Sequence, residues 1–383
     1  MGREVKATLI GHYPPPYGGV AALMKQMEAA LSLKGWQVGI FNLGSGRPAG
    51  DNVVSFSTNN RVLEFLQLFR SFAISDTDIF HYLSASYRSF WLGVVCIVLA
   101  RLTGHKIVIS FVGGAFKDFV KGLNPVARGV AKSGIDLAHA VVACNSEIEG
   151  HLKILLPRGH ISQLSNCFPP LAAVASSLPT SVEDFVSSHS PLICSTGAAC
   201  SEYGLVSALE AIAMLQRDYP KVGLVLILTR YGDAVHEKEL FNTIESLKLG
   251  DHVIVERDVP DFISLLQHSD VFLRSALVDG DSVSVREGLF LGLPTVASDT
   301  PFRPDGVILF RKGDSRDMAE KLSQAFKMGK GRSAPGVHSA PGVHKEGEEN
   351  IEALLSIYRK VLGQEPHGKP YDRSGSANRT ASA

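Results

Sequence analysis

Between Val278 and Asp299 the chain reads V-D-G-D-S-V-S-V-R-E-G-L-F-L-G-L-P-T-V-A-S-D, and three carboxylates, one arginine and two serines fall within nine residues of it. Short apolar runs precede and follow, Asp270 to Arg274 and Thr295 to Ser298, so the spacing predicts strand, Gly-containing turn, helix, strand. Asp279, Asp281 and Ser282 then stand in the turn, and Arg286 and Glu287 on the helix, with Glu287 eight positions after Asp279. The first amides of such a helix lack partners of their own and stand at the positive end of its dipole. The turn around Ser282 and Val283 can therefore cradle phosphate. Carboxylates on either side can accept hydrogen bonds from ribose and hexose hydroxyls, so the set suits a nucleotide-sugar. Solvated charges on an ordinary Rossmann-like helix are the other reading of the same residues. Asp279-Gly-Asp281 is also a D-x-D that could hold a divalent ion with a diphosphate, but the thirteen histidines form no H-x-x-x-H pair and no metal site is expected.

Three further turns follow strand-like runs. His12-Tyr-Pro-Pro-Pro-Tyr-Gly-Gly19 leads into a helix, and Gly18 and Gly19 permit close approach of a ligand to backbone. Lys106 to Phe119, K-I-V-I-S-F-V-G-G-A-F-K-D-F, feeds a turn at Gly113 and Gly114. Ser195-Thr-Gly-Ala-Ala-Cys-Ser-Glu-Tyr-Gly204 places Gly197 and Tyr203 at a third. Arg274, at the end of the strand before the main motif, and Arg286 within it are the first candidates to neutralise a diphosphate, since a guanidinium offers a planar fork to phosphate oxygens. Arg230 and Arg303 are weaker candidates. His12 and His81 are further candidate site residues, with an ordinary strand-end or core histidine as the alternative for each.

The D-G-D-S-V-S-V-R-E-G segment resembles the E-x7-E region of retaining glycosyltransferases of the GT-B fold, family 4, with Asp279 for the first Glu and Glu287 as the second. The Pro-Pro-x-Gly-Gly turn ending at Gly19 resembles the loop that opens many members. The resemblance implies two Rossmann-like domains facing a cleft, a nucleotide-sugar as co-substrate with no other cofactor, and metal-independent transfer to a saccharide or lipid-linked acceptor. Two departures stand out. Where the branch commonly reads H-x-H-G-G-x-F, this chain has Ser110 and Val112, so a histidine contact to the sugar is absent. Where many members read G-R-x-x-x-x-K-G, it has Gly197-Ala198 and Tyr203-Gly204, so two cations for the diphosphate are missing. Each such donor contributes roughly 3 kcal/mol in a transition state, which puts weight on Arg274 and Arg286 as replacements.

The elements that must position these residues alternate. In the first half, apolar runs at Val5 to Gly11, Trp36 to Leu43, Asp78 to Leu83, Lys106 to Phe111 and Ala140 to Cys144 read as strands. Gly19 to Lys34, Asn59 to Ala73 and Tyr87 to Leu102 read as helices. A second such series runs from Leu192 to the main motif. The pattern predicts an α/β protein of two doubly wound parallel domains, with ligands outside the carboxyl ends of the strands. The expected organisation is an acceptor domain over 1–168, a Pro- and Ser-rich linker over 169–190 and a nucleotide-sugar domain over 191–330. Loop insertion 331–345 carries the tandem Ser-Ala-Pro-Gly-Val-His repeat. Helix 346–362 follows, which the resemblance implies packs back on the N-terminal domain, and then a disordered tail over 363–383.

Hydrophobic residues make up 45% and charged residues 20%, as in a globular protein, and Lys plus Arg balances Asp plus Glu at 38 each. That neutrality argues against nucleic acid as a partner while leaving local patches, and contact with an anionic membrane, open. Five scattered cysteines without a C-x-x-C pair and a start free of a signal-peptide core point to the cytoplasm, with peripheral contact at the inner membrane face as an addition. The longest apolar run, Phe90 to Ala100, is too short to span a bilayer and reads as a buried helix or a membrane-facing one. The leading expectation is a retaining glycosyltransferase in envelope polysaccharide or glycoconjugate synthesis. A binding or scaffold protein that kept the fold without turnover, and a nucleotide-sugar epimerase, are the alternatives.

Overall fold

In the computed structural model the described residues are 5–44, 46, 50–56, 60–157, 159–170, 178, 180–229, 232–257, 259, 262–328 and 341–364. They form two parallel sheets, each flanked by helices. The first contains β1 (Lys6–Gly11), β2 (Gln37–Asn42), β3 (Val53–Ser55), β4 (Ile79–Ser84), β5 (Lys106–Phe111), β6 (Ala140–Ala143) and β7 (Ile161–Gln163), in the spatial order β3-β2-β1-β4-β5-β6-β7. The second contains β8 (Leu192–Ala198), β9 (Gly223–Thr229), β10 (Val253–Arg257), β11 (Val271–Arg274), β12 (Thr295–Ser298) and β13 (Ile308–Phe310), ordered β10-β9-β8-β11-β12-β13. Every strand pairing among the described residues is parallel, for example Leu9 with His81 and Leu273 with Val296. The central strands are buried on both faces, as helices above and below a parallel sheet require; all six residues of β4 are buried.

Each sheet reverses its winding beside its first strand, and the carboxyl ends of both sheets face one cleft. Local chemistry starts two helices of the N-terminal lobe. Asn60 Oδ1 accepts from the amides of Val62 and Leu63 to open helix Arg61–Ile74, and Asn124 Oδ1 accepts from Ala127 to open helix Pro125–Ile135, whose proline occupies the first turn. Helices Pro125–Ile135 and Ser146–Leu155 are amphipathic but short, and they and the short edge strands β3 and β7 are not among the elements read from the sequence.

The last helix, Pro341–Val361, starts within the stretch expected as a loop insertion; residues 341–345 are helical, and the first copy of the tandem repeat lies outside the described residues. Nearly all of the expected disordered tail, 365–383, also lies outside them. This helix ties the lobes together. Val343 packs in the C-terminal core beside Phe290, while Ile351, Leu354, Leu355 and Tyr358 are buried in the N-terminal core. Tyr358 lies against Trp36 with ring centroids 5.3 Å apart, and its hydroxyl meets His81 Nδ1 at 2.7 Å. Of the expected linker, 171–177 lie outside the described residues and Thr180–Ser188 is a helix.

Candidate functional site

The cleft between the lobes encloses about 1310 Å³ and is lined from both sides. On its C-terminal wall, the chain leaves β11 at Arg274, turns through Asp279-Gly-Asp281-Ser282 and enters helix Val283–Phe290. Asp279 does not stand free. Arg274 grips it with two bonds, Nε to Oδ2 at 2.9 Å and Nη2 to Oδ1 at 3.0 Å, and Arg303 Nη1 donates to Oδ2 at 2.9 Å. Burial opposes ionisation of this carboxyl, but the two guanidiniums prevail and hold it below its ordinary value. Arg274 is fixed in turn by Thr196 O at 3.0 Å and by the ring of Tyr203, whose centroid lies 4.9 Å from the guanidinium carbon. Gly197 makes room for that ring: a Cβ there would come within 2.9 Å of Tyr203 Cδ1. Gly204, at φ +58°, lets the chain turn behind it, where a Cβ would meet Ser275 O at 2.5 Å.

Ser282 begins the helix without a side-chain cap, its Oγ instead meeting Ser284 Oγ at 3.2 Å, so the amides of the first turn have no side-chain acceptor from it. Asp281 turns behind the helix. Its carboxylate accepts from Asn166 N and Arg286 Nε, both at 2.6 Å, while Asn166 Nδ2 donates to Asp281 O at 2.9 Å. Arg286 is therefore not brought to the cleft. Its guanidinium is spent on Asp281 and, at 2.8 Å, on Glu346 of the closing helix, whose other oxygen accepts from Ser165 Oγ.

Glu287 lies in the cleft wall, 6% exposed, and accepts from Gln26 Nε2 of the opposite lobe at 2.6 Å. Burial pushes its carboxyl up to about 8, against a smaller lowering by the Gln26 bond. The lobes touch at a second point, where Gly114 faces Gly280; a Cβ on Gly114 would lie 2.7 Å from Gly280 N. Gly113 stands behind it against Ala85, away from the cleft lining.

The N-terminal wall holds Gly18 and Gly19 at the start of helix Gly19–Leu33, and nothing lies within 4 Å of a Cβ built on Gly19, so the space before it is open. His12 lines the cleft, and burial together with the Arg88 charge lowers its pKa. His81 does not line it. The ring is fully buried between Tyr358 and Ser110 Oγ, 2.7 Å from each, and burial holds it neutral with a pKa of about 3. Ser110, noted above as a departure from the branch pattern, is thus the partner of a core histidine.

Sequence reasoning passed over Gln26, Lys25 and Arg88, all of which line the cleft, and Asn166, which holds the motif's turn. It underrated Arg303; Arg230 lies outside the described residues. Gln26 carried a signal only as the one uncharged polar residue in the inward stripe of an amphipathic helix. Two cleft hydroxyls, Ser86 Oγ and Thr229 Oγ1, are buried with no hydrogen-bond partner among the described residues. Also among those residues, no group of three His, Cys, Asp or Glu is placed to hold a metal, and no helix is long and apolar enough to cross a membrane.

Two doubly wound parallel lobes facing a shared cleft, bridged by a closing helix, define the GT-B fold of glycosyltransferases. Residues 182–336 match the family model described as glycosyl transferases group 1. Solved structures with the same fold include Anabaena Alr3699/HepE in complex with UDP, at 14% identity, covering 94% of this chain and 99% of that one with a TM-score of 0.61. Trehalose-6-phosphate synthase OtsA is similar at 13% identity, 93% and 99% coverage and a TM-score of 0.67. Sucrose-phosphate synthase from Thermosynechococcus elongatus is similar at 16%, 94% and 98%, with a TM-score of 0.62. No curated protein sequence matches the chain.

Proposed function

We propose that this protein is a retaining glycosyltransferase resembling family 4, moving a hexose from a nucleotide-sugar to a saccharide or lipid-linked acceptor without a metal ion. The observation that carries the reading is the junction of Arg274, Asp279, the uncapped mouth of helix Val283–Phe290 and Glu287 on one wall of an interlobe cleft. The match of residues 182–336 to the group 1 family supports it, as do HepE structures solved with UDP and with UDP-glucose. The C-terminal lobe takes the donor. Amides at Val283 and Ser284 meet its diphosphate, Arg274 adds charge, Glu287 exchanges Gln26 for a ribose hydroxyl, and Asp279 faces the sugar. The unpartnered hydroxyls of Ser86 and Thr229 are ready to meet polar groups of a substrate. Residues 1–168 hold the acceptor, and closure of the lobes excludes water from the transfer.

The test is a panel of UDP-, GDP- and ADP-sugars. One of them at a hundredfold excess over its Kd should stabilise the protein by about 2.7 kcal/mol in a thermal shift. Release of nucleotide should then depend on added acceptor, and Glu287→Ala should abolish both effects while leaving the fold intact. Binding without nucleotide release points to a scaffold, and donor conversion without acceptor to an epimerase. Unchanged turnover in Glu287→Ala refutes the site assignment.

A further inference from the structure

We propose that the outer face of the N-terminal lobe, formed by helices Arg61–Ile74, Arg88–Leu102 and Pro125–Ile135, docks on an anionic lipid bilayer and holds the mouth of the cleft at the headgroups. The first of these helices is anchored by Leu68 and Phe72, 3% and 0% exposed, yet Val62, Leu63, Phe65, Leu66 and Phe69 are between 41% and 68% exposed. Single exposed apolar residues are ordinary, whereas five on two turns of one helix form a contiguous patch of the kind that marks an interaction surface. The neighbouring helix Arg88–Leu102 contacts both of the others and continues the patch. Its partly accessible positions include Trp91, Leu92, Val95 and Val98, and Leu102 is 72% exposed. On Pro125–Ile135, Val126 and Val130 are 77% and 53% exposed.

Charge selects the occupant. The whole chain is neutral, but these three helices contain Arg61, Arg70, Arg88, Arg101, Arg128 and Lys132 against Glu64 alone. Arg70, Arg88, Arg128 and Lys132 make no ion pair among the described residues. Apolar side chains flanked by unneutralised cations match the chemistry of an anionic interface, where the apolar groups enter the acyl boundary and the cations meet headgroup phosphates. A second copy of the same face would instead set cation against cation. None of the described helices is long and apolar enough to span the membrane, so the contact is interfacial. Arg88 and Leu92 border this face and also line the cleft, which places the cleft mouth at the bilayer surface. In the transfer reading, and resting on it, a lipid-anchored acceptor then reaches the cleft without leaving the membrane.

Flotation of the full-length protein with vesicles tests the docking without any donor. The protein should rise with vesicles of equal parts phosphatidylglycerol and phosphatidylcholine, fall off as salt is raised, and bind pure phosphatidylcholine far more weakly. Phe65→Gln with Leu66→Gln should lower partitioning on the order of tenfold. Arg128→Glu with Lys132→Glu should lower it further, by about fivefold for each positive charge removed. All four side chains are exposed, so melting temperature and nucleotide-sugar binding should stay at wild-type values and exclude misfolding. No flotation, equal binding to neutral vesicles, wild-type binding by either double variant, or a solution dimer that these substitutions dissociate would each overturn the proposal. Vesicle binding by a chain that binds no nucleotide-sugar would sink only the transfer reading, and donor binding without vesicle binding would sink only the membrane face.

Discussion

Replacing Glu287 by glutamine separates the charge of this residue from its shape. The carboxyl is buried, and its hydrogen bond among the described residues comes from Gln26 Nε2 at 2.6 Å, a bond that the amide oxygen of the substituted side chain would still accept. Burial moves the titration from 4.5, the ordinary value, to about 8. The sign follows from linkage: the folded protein keeps a proton that the unfolded chain has released. The contribution of Glu287 to stability is therefore complete below pH 4.5 and lost progressively as pH rises toward 8. One proton is worth about 1.4 kcal/mol per pH unit, so between pH 5 and 8 the loss is on the order of 4 kcal/mol. At about 2 °C per kcal/mol, Glu287→Gln should melt near the wild-type temperature at pH 5 and on the order of 8 °C above it at pH 8. The assay is thermal unfolding of both proteins across that range without ligand. Their difference isolates Glu287, since every other group titrates in both. Parallel curves would refute the reasoning, because they would mean that Glu287 is hydrated and that the Gln26 contact does not close the cleft in solution.

Three further substitutions probe the surrounding framework. Gly114→Ala puts a methyl group 2.7 Å from Gly280 N, so the lobes should be held apart; small-angle scattering should give a larger radius of gyration at an unchanged melting temperature. A wild-type radius would show that the lobes do not meet there. Asp279→Asn removes the anion shared by Arg274 and Arg303 and should cost about 3–5 kcal/mol in denaturant unfolding, partly recovered when Arg303→Met is added. Tyr358→Phe leaves His81 Nδ1 buried without its partner and should cost about 1–3 kcal/mol, with faster amide exchange along residues 351–361.

Much of the fold was legible because it depends on patterns that a chain cannot hide. Strands buried on both faces must be continuously apolar, as β4, β5 and β9 largely are, and the intervening amphipathic stretches leave few alternatives to parallel winding. The edges were less legible. β3 and β7 are three residues each, with accessible side chains, and carry no periodicity to read. In the site, sequence spacing placed Asp279, Ser282 and Glu287 on one turn and helix, but it could not say which neighbours would compete for them. Arg286 looked like a phosphate ligand only until Asp281 and Glu346 were found bound to it, and Glu346 lies sixty residues away. Gln26 was invisible for the same reason, being 261 residues from the carboxyl that it meets.

The missing Arg and Lys of the G-R-x-x-x-x-K-G pattern bear directly on how a diphosphate could be held. At one of the departing positions Tyr203 stacks on Arg274, a cation at the end of β11. Arg274 is not idle in that place, because Asp279 already binds it at two points. A phosphate arriving at Arg274 must therefore compete with Asp279, and an aspartate stripped of its partner inside the protein would be costly. Arg303 removes that difficulty. Its Nη1 lies 2.9 Å from Asp279 Oδ2 while its Nε and Nη2 are anchored on Ser298, so under the proposed function Asp279 would keep one counter-ion if Arg274 turned to a diphosphate. Two guanidiniums around one carboxylate thus give this buried wall one positive charge more than Asp279 neutralises, in surroundings where such a charge acts most strongly.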